Sequence, residues 1–416
     1  MGMDDRPATD PDGSDPPVSR AYAWVAFALI IGLMVSDYLS RQVINAVFPF
    51  LKAEWQLSDT HLGSLASVVA LVVGVMTFPV SLAADRWGRV RSATAMALVW
   101  GLATIACGLA GSFTAMFLAR VIVGLGEAGY GSAGGAILTH VFPRRLHATV
   151  IGAFIAAALF GSVLGVALGG VIAQSLGWRM AFVVIGGAGL VLAVVFPLVV
   201  EEPSSRATAG ALRMPLREVI GALFRVPTVN FTYVGSGLQM FVQGTIIAWA
   251  PSYLNRYYGM DPAAAAVGAG ALMLVAGVGM TAGGFVVDRL SAKRPSNRLR
   301  LPALYALVSG GGLFVAFFTP PGAAQFALIA LGVTVGAGFA GPAGAVVADL
   351  TDSALRATVL ATLTLANNLI GLAPGPLVTG MLADAAGLDV AMRVVPAASI
   401  LAAAIFFYAA RRYDQS

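Results

Sequence analysis

Charge is scarce in this chain: only 11% of its 416 residues are Asp, Glu, Lys or Arg. Ordinary soluble domains carry about 25% charged residues, so a water-surrounded globular fold is excluded. Cysteine is nearly absent too. Cys107 is the single one, and His61, His140 and His147 are the only histidines. That inventory excludes a disulfide framework and argues against a Cys/His metal site, so no metal or cofactor is expected. A nucleophile–base pair at membrane depth is also missing, because the histidines flank loops; catalysis is therefore not expected. The first twenty residues, MGMDDRPATDPDGSDPPVSR, lack a basic leader and an isolated short apolar core, which disfavours a signal peptide. Their Asp and Pro content suggests a disordered tail.

What the chain has in abundance is apolar length. Hydrophobic residues make up 58% and glycines number 49. Stretches long enough to cross a bilayer recur along the chain, predicting an all-α polytopic membrane protein. Twelve spans are expected near 21–48, 59–84, 90–110, 114–139, 146–173, 179–200, 228–256, 263–287, 299–319, 323–348, 355–383 and 390–410. This divides the chain into a tail (1–20), a first six-helix bundle (21–200), a linker (201–227), a second bundle (228–410) and a tail (411–416). Within the linker, Leu216, Val219, Ile220, Leu223 and Phe224 share one helical face, as in a connector lying on a membrane surface.

Basic residues set an orientation. Nineteen of the 25 Lys and Arg fall in the tails and in the loops after even-numbered spans. Lys52, Arg179, Arg256 and Arg393 lie on the other side, and Arg41 and Arg120 lie inside spans. The positive-inside rule then puts both termini in the cytoplasm, in a plasma membrane of the bacterial inner-membrane kind. The net charge of +5 is accounted for by these loops and does not indicate nucleic acid.

The two halves repeat. SLAADRWGR at 81–89 is answered by GFVVDRL at 284–290, and HATV at 147–150 by RATV at 356–359. Gly161, Gly165, Gly169 and Gly170 are answered by Gly371, Gly375, Pro376 and Gly380. Offsets of 203, 209 and 210 residues indicate two homologous bundles, and such repeats place a binding site at their interface near the midplane.

Four charges sit where hydrocarbon should exclude them. Asp37 and Arg41 are four residues apart in span 1, and Arg120 and Glu127 are seven apart in span 4, so each pair shares a helix face. Intramembrane charges cost several kcal/mol unless paired or functional. A structural ion-pair network is one reading, and a working site the other. Glu127, flanked by Gly124, Gly126 and Gly129, is the candidate proton carrier, with Asp37 a second titrating group or a site for a substrate cation. Arg41 and Arg120 cannot release a proton and suit an anionic substrate group or a pairing with Glu127. The second half answers with amides. Gln239 and Gln243 occupy in span 7 the places of Asp37 and Arg41, Asn367 and Asn368 lie in span 11, and Trp249 lies further out on span 7. Substrate contact and interhelical glue are both open for these.

Twelve spans, the six-plus-six repeat and Asp85-Arg86-x-Gly88-Arg89 resemble the major facilitator superfamily. Ser81 stands where its loop pattern opens with glycine, and Gly284, Asp288 and Arg289 form the second-half copy. LSDTHLGSL (57–65), ADRWGRV (84–90), ARVIVGLGEAGY (119–130) and GWRMAFVVIG (177–186) resemble its bacterial spinster-like branch. That branch usually has Asn-Tyr-x-Asp-Arg in span 1; here it reads Asp37-Tyr38-Leu39-Ser40-Arg41. The resemblance implies alternating access, a cavity lined by spans 1 and 4 that gathers the four charges and Tyr38, and cytoplasmic gates at the Asp-Arg-x-Gly-Arg loops. It further implies a lysolipid- or sphingolipid-like substrate, with a monomer in the bilayer and protons as coupling ion. Gly152, Gly161, Gly165, Gly169 and Gly170 fit the superfamily's antiporter signature, with Val166 at its proline; plain helix packing explains those glycines as well. Proton-driven export is therefore the first expectation, and proton–organic-anion symport for uptake the second.

Overall fold

The computed structural model describes residues 18–202, 221, 223–292, 294–352 and 355–413, without the side chains of Asp85 and Ala357. Leu216, Val219 and Ile220 of the expected surface connector, the gate carboxylate of Asp85, residues 1–17 of the first tail and 414–416 of the second lie outside that description. Among the described residues every regular element is a helix.

The first six spans are Arg20–Trp55, Asp59–Trp87, Arg89–Leu109, Phe113–Val141, His147–Leu176 and Trp178–Val199. The second six are Pro227–Tyr258, Pro262–Ser291, Asn297–Phe318, Ala323–Asp349, Thr358–Ala386 and Leu388–Tyr413. Eleven are apolar enough to cross a bilayer by composition. The exception, span 7, is 32 residues long and rich in Gly, Ser, Thr and Gln, and most of its residues are buried. Its polarity is explained by its place inside the protein, where lipid does not select its side chains. Exposed leucines, valines and phenylalanines such as Leu71, Phe78, Phe160 and Phe285 stud the outer faces of the other spans.

Span 1 is one unbroken helix through SDYLSRQ, and its charges do not mark a break between spans. Span 4 departs from the continuous helix expected. It stops at Glu127, turns through Ala128 and Gly129, and restarts at Tyr130. Half of its sequence there, GLGEAGYG, is glycine, which weakens a helix, and Gly126 lets the backbone press against that of Trp100. Span 10 breaks at the equivalent place, after Ala337, 210 residues on. Span 11 contains a π-helical turn, Asn367–Leu372, in which the Ala373 N–H bonds five residues back to Asn368. Pro374 follows, and its missing N–H relaxes the ordinary ladder.

The turns repeat as well as the helices. Gly177 between spans 5 and 6 has φ 90°, and Gly387 between spans 11 and 12 has φ 93°. Both positions are in backbone space that side chains with Cβ avoid, which explains glycine at each.

Candidate functional site at the span 1–span 4 contact

Span 5 aims the charged face of span 1. A Cβ on Gly161 would come 2.6 Å from the Val35 carbonyl oxygen, and one on Gly165 would come 2.9 Å from that of Leu39. Gly169 lies against the Val43 side chain, whose Cγ2 a Cβ there would meet at 3.0 Å. These glycines let the two helices touch backbone to backbone along the Val35–Leu39–Val43 face. Asp37 and Arg41 are each two residues further on, about 200° around the helix, so they point away from span 5.

They point at Glu127. The Arg41 Nε donates to Glu127 Oε2 at 2.9 Å, and the Glu127 side chain is fully buried while 17% of the Arg41 side chain remains accessible. The Asp37 carboxyl meets that of Glu127. When both are ionised neither can donate to the other, and Asp37 Oδ1 and Glu127 Oε1 have no hydrogen-bond partner. The Tyr38 ring lies under the Arg41 guanidinium at 5.3 Å. Ser36 Oγ, Ser40 Oγ and Trp100 Nε1 are buried and unpartnered in the same bundle. Tyr130, just past the span 4 break, donates to the Ile30 carbonyl at 2.8 Å.

Arg120 is engaged differently from the expectation of a substrate-facing or Glu127-pairing group. It is buried, and its guanidinium donates to three backbone carbonyls: Leu65 at 3.1 Å, Ser40 at 3.0 Å and Arg41 at 2.9 Å. It thereby ties span 4 to spans 1 and 2 beside the carboxylates.

The amides of the second half mostly join helices. Gln239 donates to the Gly336 carbonyl at 3.2 Å and accepts from Ser399 at 2.7 Å, linking spans 7, 10 and 12. Gln243 donates to the Val333 carbonyl at 3.3 Å and also borders a cavity. Asn367 accepts from Ser236 at 2.6 Å, while Asn368 donates to the Thr364 carbonyl at 2.9 Å and its Oδ1 is unpartnered. Trp249 donates to the Pro376 carbonyl at 3.0 Å and packs on Phe48 of the first half. The cavity, about 160 Å³, opens between span 5 and spans 7, 8 and 10; Leu159, Met240, Met273 and Phe339 line it, with Ser162 and Gln243 its few polar groups.

The halves are fastened at the end opposite the termini. Asp59 receives both Arg256 nitrogens at 2.8 and 2.6 Å and Lys52 at 2.6 Å. Asp384 of span 11 accepts from the N–H groups of Asp59 and Thr60 at 2.7 and 2.8 Å, the N-terminus of span 2. Sequence reasoning missed this latch, because Lys52 and Arg256 register there only as charges on a minority side. The signal available was an acid at each of two span ends, Asp59 and Asp384. At the other end, the Glu202 carboxylate caps the N-terminus of span 3, accepting from Arg89 and Val90. Gly88 forms the turn at φ 100°. Among the described residues, no ion pair or hydrogen bond joins Arg86 and Arg89 to Gly284, Asp288 or Arg289.

Twelve spans in two sequence-related halves, fastened to each other at one end and enclosing a buried cluster of charges, fit the class of polytopic membrane carriers. The sequence profile of the Major Facilitator Superfamily matches residues 30–374, and the chain belongs to that family; it is a membrane transporter. It is 29% identical to an MFS-type efflux pump of Mycolicibacterium smegmatis over 95% of this chain and 94% of that protein. It is 28% identical to a probable sulfoacetate transporter of Cupriavidus necator, over 74% of this chain and 75% of the other. Among solved structures, a bacterial homologue of the human lysosomal transporter spinster, in an inward-facing and unoccupied conformation, superposes with a TM-score of 0.87. That likeness is 24% in sequence, covers 96% of this chain and 99% of the other, and marks the fold as spinster-like.

Proposed function

We propose that the protein is a proton-coupled transporter of an amphipathic or anionic organic solute, with export by proton antiport as its direction. The observation that carries this reading is the Asp37–Glu127–Arg41 cluster. Two buried carboxylates meet with an orphan oxygen on each, and one proton placed between them would satisfy both. That makes Glu127 the proton carrier and Asp37 its partner, and Arg41 the cation that trades Glu127 for another anion when the proton arrives.

The latch at Asp59, and the lack of any link among the described residues of the loops at the other end, support an inward-facing state, with both termini cytoplasmic. Outward opening would break Asp59–Arg256 and bring the Asp85–Arg89 loop toward Asp288 and Arg289. The apolar opening between spans 5 and 8 suits a solute with a hydrocarbon part, and the named efflux pump agrees with export. In antiport, a cationic substrate group competes with the proton at Asp37.

Symport of an organic anion is the second reading, favoured by the accessible part of Arg41 and by the sulfoacetate transporter. There, protonation of Glu127 would free Arg41 to take the substrate anion. Proteoliposomes decide between the two: lysophosphatidylcholine and a hexuronate are offered under pH gradients of either sign, with internal pH recorded. Antiport moves protons against the solute and symport with it. Solute movement with no proton flux in either direction would refute coupling.

A further inference from the structure

At the end that carries both termini, a second cavity of about 300 Å³ opens between the start of span 1 and the turn linking spans 4 and 5. Arg20 and Arg145 supply its charge, and Trp24, Phe142, Pro143 and Leu146 its apolar wall. Neither the transport cluster nor the latch uses it.

Local chemistry builds the site. The chain leaves span 4 through Phe142-Pro143 and makes one short turn, Arg144–Leu146, before span 5 begins at His147. His147 Nε2 lies 2.8 Å from the Phe142 carbonyl, which fixes that turn. Trp24, Phe27 and Phe142 stack edge to face at centroid distances of 5.4 to 5.9 Å. Phe142 is buried while Trp24 is 57% exposed on the outer face of span 1, so the aromatic group runs from the pocket to the lipid-facing surface. A tryptophan at this position, one turn inside the basic end of a span, matches the interfacial belt. Both arginines are exposed, and among the described residues neither donates to a carboxylate. The pocket is thus cationic at its mouth and aromatic and apolar along the side toward the hydrocarbon.

We propose that this pocket binds one anionic phospholipid of the surrounding leaflet. Its phosphate sits between Arg20 and Arg145, and its acyl chains run down over Trp24. Charge complementarity selects the headgroup, because two guanidinium groups favour a phosphodiester with no balancing cation over a zwitterionic one. The aromatic wall selects a lipid over a free anion, since a soluble phosphate would leave that apolar surface wet. The bound lipid joins span 1, the helix that carries Asp37 and Arg41, to the span 4–5 turn.

The test is native mass spectrometry of the full-length protein after extraction from bilayers holding equal phosphatidylglycerol and phosphatidylcholine. The wild type should retain phosphatidylglycerol preferentially. R20Q and R145Q should each lower that retention about fivefold, and the double variant should show no preference. R411Q/R412Q, an equal loss of charge at the same end of span 12, should leave retention unchanged; an equal drop there would reduce the site to general surface charge and overturn it. Millimolar glycerol phosphate should not displace the lipid, and displacement would overturn the lipid assignment. The upstream segment 1–17 holds five aspartates and is the competing occupant. If phosphatidylglycerol is retained only after residues 1–17 are deleted, the pocket belongs to that segment and the proposal fails.

Discussion

Span 4 and span 10 break at equivalent places, and the two breaks are used in opposite ways. In the first bundle the helix ends on Glu127, whose carboxylate faces Arg41 and Asp37 of span 1. In the second it ends on Ala337, and span 7 answers with Gln239 and Gln243, offset by 202 residues from Asp37 and Arg41. Those amides donate to the carbonyls of Gly336 and Val333 around that break. One geometry therefore gathers charges in one half and amide hydrogen bonds in the other. Neutral amides do not titrate at any working pH, so under the proposed function any coupling would rest on the first bundle.

Substitutions can break that contrast, and Arg120→Met should have the largest effect. It would leave the carbonyls of Ser40, Arg41 and Leu65 without their charged donor, costing about 3 kcal/mol or more. A large fall in the thermal unfolding midpoint in detergent is expected, with transport lost alongside stability. A variant as stable as wild type would remove Arg120 from its clamping role.

A smaller shift follows from opening the latch. Arg256→Gln deprives Asp59 of its bidentate partner, and a close charge pair of this kind contributes about 1.5 kcal/mol or more across an interface. That biases the carrier outward. A cysteine introduced near the span 7 end should then label faster from the side opposite the termini, and unchanged labelling would show that the pair does not hold that end shut. The smallest effect belongs to the second bundle. Gln239→Leu should cost about 1 kcal/mol, the usual size of interhelical hydrogen bonds in membranes, while proton coupling stays intact. Loss of coupling in that variant would erase the asymmetry between the halves.

Much of this architecture is legible in the sequence. Charge scarcity and apolar length give the spans, and the offsets give the repeat. Asp37, Arg41, Arg120 and Glu127 stand out because hydrocarbon tolerates charge so poorly. What sequence could not reveal is what each charge touches. Arg120 bonds to backbone carbonyls, and a carbonyl contact leaves no mark on residue identity. Asp59 and Asp384 looked like ordinary helix-end acids, because their partners lie 197 and 325 residues away along the chain. At the breaks near Ala128 and in Asn367–Leu372, the glycines and Pro374 are visible in the sequence, but the close approach of Gly126 to Trp100 and of Gly371 to Met240 and Gly237 is not.

The central claim is that the span 1–span 4 carboxylates carry the proton. Glu127→Gln keeps the shape and the hydrogen bond to Arg41 but cannot exchange a proton. In proteoliposomes loaded with whichever solute the wild type carries, solute counterflow should persist in this variant. Uptake or efflux driven by a pH gradient should fall by about 100-fold or more, the lower range for losing a positioned proton-transfer group. Proton-driven transport at the wild-type rate in Glu127→Gln would contradict the account.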